Sequence, residues 1–219
     1  MIKIHYKEKG FLIASKPYGV ASQEGANENM VALLENQLGT KIYPVHRLDT
    51  TTTGLIIYAT DQKMAGMLSS LISEGGLTKE YLALCHGTLE NAGEMTDFLY
   101  HDRLKNKSFA VKSKRAGAKV ACLEFQTLCS VNFRENTPLS LVKIKLLTGR
   151  THQIRVQFSS RGNALYGDGK YGAHDNDKIA LHSYHISLIH PITKEQIDIY
   201  ELPQGNVWDK IQNELSTLI

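Results

Sequence analysis

Apolar and polar positions along this 219-residue chain change period several times. Phe11 to Ser15 is a short apolar run that Pro17 and Gly19 stop, and Leu55 to Thr60 is a second; both read as buried strands. Tyr81 to His86 and Ala121 to Leu128 read the same way. Leu139 to Leu147 alternates, with Leu141, Lys143 and Lys145 on one side and Val142, Ile144 and Leu146 on the other. Elsewhere the spacing is helical. Asn27 to Leu38 carries Met30, Val31, Leu34 and Leu38 on a stripe that Gly39 ends. Asp61 is placed as the N-cap of a helix with Met64, Leu68, Leu71 and Ile72 on one face, closed by Gly75-Gly76. Thr151 reads as the N-cap of a short helix from His152 to Arg161, with Gly162 as its left-handed stop. Ile179 to Pro191 and Gln196 to Leu202 are spaced to pair around the turn Ile192 to Glu195. Val207, Ile211, Leu215 and Leu218 predict a final packing helix. No repeat, low-complexity tract or linker interrupts this order. The pattern predicts a single α+β domain over 1–219, built on a mixed, mostly antiparallel sheet flanked by helices and loops.

Composition narrows the class. Hydrophobic residues make up 42% and charged residues 21%, which suits a folded core rather than disorder. Cys85, Cys122 and Cys129 form no C-x-x-C pair, and an odd count supports neither a disulfide scaffold nor a zinc knuckle; free thiols in a reducing cytosol are the simpler expectation. The start, Met1 to Lys7, is too polar for a signal peptide, and no apolar run approaches the ~20 residues that span a bilayer. The expectation is a cytoplasmic monomer with no membrane partner. Net charge is only +3, yet Arg103, Lys105, Lys107, Lys112, Lys114, Arg115 and Lys119 follow one another with no acid among them. A basic arm at about 101–120 on an otherwise acidic chain suggests a polyanion contact, a solvated basic loop being the plain alternative.

Two runs carry chemistry. His46-Arg47-Leu48-Asp49-Thr50-Thr51-Thr52-Thr53-Gly54 puts a carboxylate in a hydroxyl-rich turn at the edge of an apolar strand. Hydroxyls and backbone N–H groups hold such a carboxylate in one rotamer, and a nearby cation keeps it charged as a nucleophile or base. An Asx turn is the structural alternative. The run is not a kinase catalytic loop, which places Asp directly after Arg and needs a downstream Asp-Phe-Gly. The second run is Gly149-Arg150-Thr151-His152-Gln153-Ile154-Arg155. Arg150 and His152 fall at a helix N-terminus, where N–H groups favour phosphate. Arg155 lies one turn in, where a guanidinium pairs a carboxylate through two hydrogen bonds.

In order and separation these runs resemble the signatures of the RluA-type RNA pseudouridine synthases. Three further pieces join them: Lys16-Pro17-Tyr18-Gly19-Val20, Lys79-Glu80-Tyr81 and Gly167-Asp168-x-x-Tyr171-Gly172. The likeness runs from about residue 11 to 202. It implies the pseudouridine synthase catalytic fold and isomerisation of uridines in rRNA or tRNA without a cofactor. Asp49 is then the catalytic carboxylate, either by covalent addition or as a base on the ribose, and Arg155 is the arginine paired with it. Tyr81 matches the tyrosine that stacks on the uracil and helps move a proton. Arg47 matches the arginine that fills the gap left by a flipped base, and Leu181 the apolar floor of the pocket. RNA contacts are expected from Arg47, Arg150, His152, Arg103, Lys105, Lys107, Lys112, Lys114 and Arg115. Two departures stand out: Thr52-Thr53-Gly54 replaces the commoner Thr-Ser-Gly, and Ser15 precedes Lys16 where Asn or Asp is common. With the motifs starting at Phe11, the catalytic domain alone is expected, without the S4-like extension of many relatives.

Two other classes compete. An RNA-binding or chaperone protein on the same fold would have lost catalysis, which intact Asp49, Tyr81 and Arg155 argue against. A metal-dependent hydrolase would need ligands, but His182-x-x-His185 falls in a strand, where the two side chains face opposite ways. No metal site is expected.

Overall fold

The structure is a computed structural model and describes residues 1–25, 28–132 and 138–218. In chain order the described residues form β1 (Ile4–Lys7), β2 (Phe11–Lys16), α1 (Met30–Leu38), β3 (Tyr43–Pro44), β4 (Thr53–Ala59), α2 (Gln62–Ser73), β5 (Leu77–His86), β6 (Ala92–Asp102) and β7 (Lys107–Val111). They continue with β8 (Ala118–Asn132), β9 (Pro138–Leu146), α3 (Gln153–Ser159), β10 (Leu181–Ile189), β11 (Gln196–Tyr200) and α4 (Gln212–Leu215). The fold is α+β with mostly antiparallel pairing, and no described helix is long and apolar enough to cross a membrane. The chain divides into two compact units: Met1–Lys79 with His182–Pro203, and Glu80–Leu181 with Gln204–Ile219.

In the first unit β4 is central. It pairs antiparallel with β2 and β3, and parallel with β10 through Thr53 and Gly54; β1 extends β2 and β11 extends β10. Phe11, Ile13, Leu55, Ile57, Ile186 and Leu188 form the core, closed by Met64 and Leu68 of α2. Asp61 caps α2, its carboxylate accepting the Met64 N–H at 2.8 Å. Gly39 ends α1 at φ 65°. The cap of α1 is Asn29; the predicted start at Asn27 lies outside the described residues. Gly54 is required by its place. Its φ is 101°, and a Cβ there would stand 2.3 Å from the Ser183 carbonyl oxygen of the parallel neighbour.

In the second unit β5, β9, β8, β6 and β7 follow one another, all antiparallel, with β7 at the edge. The basic arm is a hairpin, one of the two forms its position suits: β7 and the turns on either side of it pair with β6. α3 is buried along almost its whole length, and Val156 packs with Leu99, Ala121 and Tyr171. Thr151 does not cap α3. His152 does, in the left-handed region at φ 55° and without a side-chain cap bond. The Gln153 side chain works from inside the helix, its Oε1 accepting the Arg150 N–H at 3.0 Å and the Thr148 hydroxyl at 2.8 Å. The tail is also not one helix. Asn206–Ile211 and Ser216–Leu218 are 3-10 turns around α4. The predicted apolar positions Val207, Ile211 and Leu215 are nonetheless buried, together with Trp208.

Candidate active site

In the first unit Asp49 opens a tight turn, its carbonyl accepting the Thr52 N–H at 3.0 Å. The turn is clamped from beneath by Lys16, which is 1% exposed at the end of β2. Its ammonium donates to the carbonyls of Pro17 at 2.9 Å, Val20 at 2.8 Å and Thr50 at 3.1 Å, so all three of its protons are used. The Gly19 N–H shares the same Thr50 carbonyl at 2.9 Å. Burial lowers the Lys16 pKa to about 8, and the negative charge of Asp49 works against that shift. A buried lysine next to a half-buried carboxylate keeps a positive field under the turn.

Two further contacts fix the approach to Asp49. Ser22 bridges Leu48, its hydroxyl donating to the Leu48 carbonyl at 2.6 Å and accepting the Leu48 N–H at 3.1 Å. The Ser22 carbonyl is in turn held by the Tyr58 hydroxyl at 2.6 Å. His46 accepts the Ile57 N–H of β4 on Nε2 at 3.0 Å, which requires a neutral ring; burial, helped by Lys79, pushes its pKa down to about 3. Arg47, between these fixed residues, is exposed. Beyond the turn, Thr53 bonds His182 Nδ1 at 2.8 Å, and His182 Nε2 donates to the Glu201 carbonyl at 3.1 Å. His182 is thus engaged by a hydroxyl and a carbonyl, and His185 by Asp198 and the Tyr200 ring.

In the second unit Arg155 is held by Asp168. Its Nε and Nη2 each lie 2.7 Å from a different oxygen of that carboxylate, with side-chain exposures of 7% and 1%. The Tyr171 ring lies 5.1 Å from the guanidinium carbon and bonds His152 Nδ1 through its hydroxyl at 2.9 Å. The same hydroxyl accepts the Ser108 N–H of β7 at 2.8 Å. Burial raises the Tyr171 pKa. His152 is therefore an 8% exposed member of this cluster rather than an open helix-terminal contact. Gly167 makes the preceding turn possible: its φ is 76°, and a Cβ would meet the Lys178 carbonyl at 2.3 Å.

Tyr81 on β5 and Leu181 at the start of β10 are both buried, at 5% and 3% exposed. On the hairpin, Arg103, Lys105, Lys112, Lys114 and Arg115 are exposed, and Arg115 stacks on Tyr100 at 4.3 Å. Lys107 leans on the Phe109 and Tyr171 rings. The structure thus gathers Asp49, Arg47, His46 and Lys16 in one unit, and Arg155, His152, Asp168 and Tyr171 in the other. Lys16 and Asp168 fall within motifs of the sequence that give them no role. A lysine reads as surface until its burial is seen, and nothing in the spacing joins residues 155 and 168.

The family model described as RNA pseudouridylate synthase matches residues 10–160. The chain is 28% identical over 237 residues to the tRNA pseudouridine synthase C of Haemophilus influenzae, covering 98% of each. It is 31% identical over 231 residues to the ribosomal large subunit pseudouridine synthase D of Zymomonas mobilis, covering 93% of this chain and 70% of the relative. In fold it is similar to human RNA Pseudouridylate Synthase Domain Containing 1, with a TM-score of 0.80 at 22% identity over 98% of this chain and 94% of that one.

Proposed function

Because the chain belongs to the RluA-type family of RNA pseudouridine synthases, we propose that it isomerises selected uridines of structured tRNA or rRNA, with Asp49 as the catalytic carboxylate. The enzyme is an isomerase. Its reaction breaks the N1–C1′ bond of uridine, turns the detached uracil and joins C5 to C1′; C5 gives up its proton and N1 takes one up, so the composition is unchanged. Nothing is oxidised or reduced, so the balance calls for no redox cofactor. Asp49 works at the ribose or the base while the Lys16 clamp keeps its turn in place and its surroundings positive. The target is flipped from its stack at a cost of a few kcal/mol, and the exposed Arg47 offers a planar guanidinium to the gap. Tyr81, Arg155 and Leu181 keep the roles that the resemblance gives them. The basic hairpin supplies phosphate contacts that position the RNA without reading its sequence.

The observation that carries this reading is the placement of Asp49, inside the matched span and on a turn fixed by Lys16, Gly19 and Ser22. The purified protein, given tRNA and rRNA transcripts tritiated at uridine C5, is expected to release tritium in proportion to pseudouridine formed. Release from neither class of RNA would overturn the assignment.

A further inference from the structure

Beside the hairpin of the second unit lies an open cleft of about 720 Å³, a size within the ~300–1,000 Å³ of small-molecule sites. One wall is the β6–β7 turn and the other is Gly149 to Thr151. The turn is rigid. Asp102 accepts the Lys105 N–H at 3.0 Å, Asn106 sits at φ 44°, and Lys170 donates to the Asn106 carbonyl at 3.0 Å. Arg103, Lys119 and Arg150 line the cleft, and Arg150 is pre-set by an Nε bond of 2.8 Å to the Val120 carbonyl. Cations alone would describe a phosphate site. Two features ask for a base as well.

The first is Leu104, which stands fully exposed at the tip of the turn and also lines the cleft. It offers an apolar face between two cations, the kind of wedge that rests on an unstacked base. The second is His101. Ser108 has one hydroxyl proton and places it on the Thr151 carbonyl at 2.6 Å. The bond of 3.2 Å between His101 Nδ1 and that hydroxyl must then be donated by the ring. In the neutral ring Nδ1 carries the proton and Nε2 is left with a lone pair. His101 lines the cleft with Arg103, Lys119, Arg150 and Asp102, and its Nε2 is the ring atom left to accept.

We infer that this cleft binds one unpaired nucleotide of the substrate RNA, distinct from the target uridine, with its phosphate on Arg103, Lys119 and Arg150 and its base edge read by His101 Nε2. The inference rests on RNA being the substrate. Placed against the exocyclic group at C4, an acceptor takes an N4 amino proton of cytosine and is repelled by O4 of uracil, so cytosine is preferred to uracil, the two being nearly the same shape.

The test is binding of fluorescein-labelled oligocytidine and oligouridine hexamers to the full chain at two salt concentrations. Wild type is expected to bind oligocytidine about threefold to tenfold more tightly than oligouridine. His101→Asn keeps a donor near the Nδ1 position and removes the distal acceptor, so it should bind both alike. His101→Gln returns an acceptor near the Nε2 position and should restore part of the preference. Arg150→Gln should weaken both hexamers and lower the salt slope by about 0.7, the value of one lost single-strand phosphate contact. Equal binding of the two hexamers by wild type, or a preference that survives in His101→Asn, would overturn the inference. Tritium release by the same preparations is read in parallel. A chain that forms pseudouridine but shows no preference loses the cleft and keeps its function, and one that shows the preference without forming pseudouridine does the reverse.

Discussion

Asp168→Asn isolates the buried ion pair of the second unit. The substitution keeps the size and planarity of the side chain but replaces one carboxylate oxygen by an amide donor, which then faces a guanidinium that only donates. Both side chains are almost wholly shielded from water, so solvent does not screen the loss. Breaking a buried pair from one side costs about 3–5 kcal/mol, much of it the cost of leaving a buried charge short of a partner. At about 2–4 °C per kcal/mol for a chain of this size, the melting temperature should fall by roughly 6–20 °C. Differential scanning calorimetry at neutral pH reads this directly. Replacing both partners, Arg155→Met with Asp168→Leu, removes the charges together and should recover most of the lost stability. If Arg155 also serves the reaction, that double variant stays unable to form pseudouridine although it folds. An Asp168→Asn protein that melts within ~1 °C of wild type would refute the reasoning, since a pair worth that little behaves as a surface pair.

Gly54→Ala should destabilise the first unit strongly, because the added Cβ overlaps the Ser183 backbone and the residue must keep a left-handed φ that itself costs about 1–3 kcal/mol; the urea midpoint measures it. Lys16→Met takes the ammonium from three carbonyls, of which Thr50 keeps the Gly19 N–H, and hydrogen exchange over residues 46–52 should quicken while pseudouridine formation falls, with Lys16→Arg too large for the closed site to rescue it. His46 and His182 are buried neutral, with pKa values lowered to about 3 and about 4. Between their ordinary value near 6.5 and those lowered values the unfolded chain takes up protons that the folded chain does not, so stability is full above about pH 6.5 and is lost as pH falls through that window. Thermal melts from pH 7 to pH 4 should show the decline, and His46→Gln, which does not titrate, should make it shallower.

Where local rules decide the outcome, the sequence was readable. Asp61 caps α2 through its own side chain, Gly39 stops α1 at positive φ, and the turn after Ile189 joins β10 to β11. Where tertiary contacts decide it, the pattern misled. The basic stretch suits a hairpin or a loop, and only its pairing with β6, a strand the pattern does not mark, decides for the hairpin. Thr151 is a good capping residue, but α3 begins one residue later than it would cap, with His152 at the N-cap, and the Gln153 side chain satisfies the Arg150 N–H. The site divides in the same way. Asp49 and Arg155 are marked by their motifs. The groups that hold them, Lys16 and Asp168, are identified by burial and bond geometry alone.

The central claim is that Asp49 carries the isomerisation. RNA from a strain lacking this protein, mapped for pseudouridine by chemical labelling, is to be compared with RNA from the same strain complemented by wild type or by Asp49→Ala. The account predicts a uridine in tRNA or rRNA that stays unmodified in the deletion strain and with Asp49→Ala, and is modified again with wild type. A map that does not change on deletion, or one that Asp49→Ala restores, would contradict it.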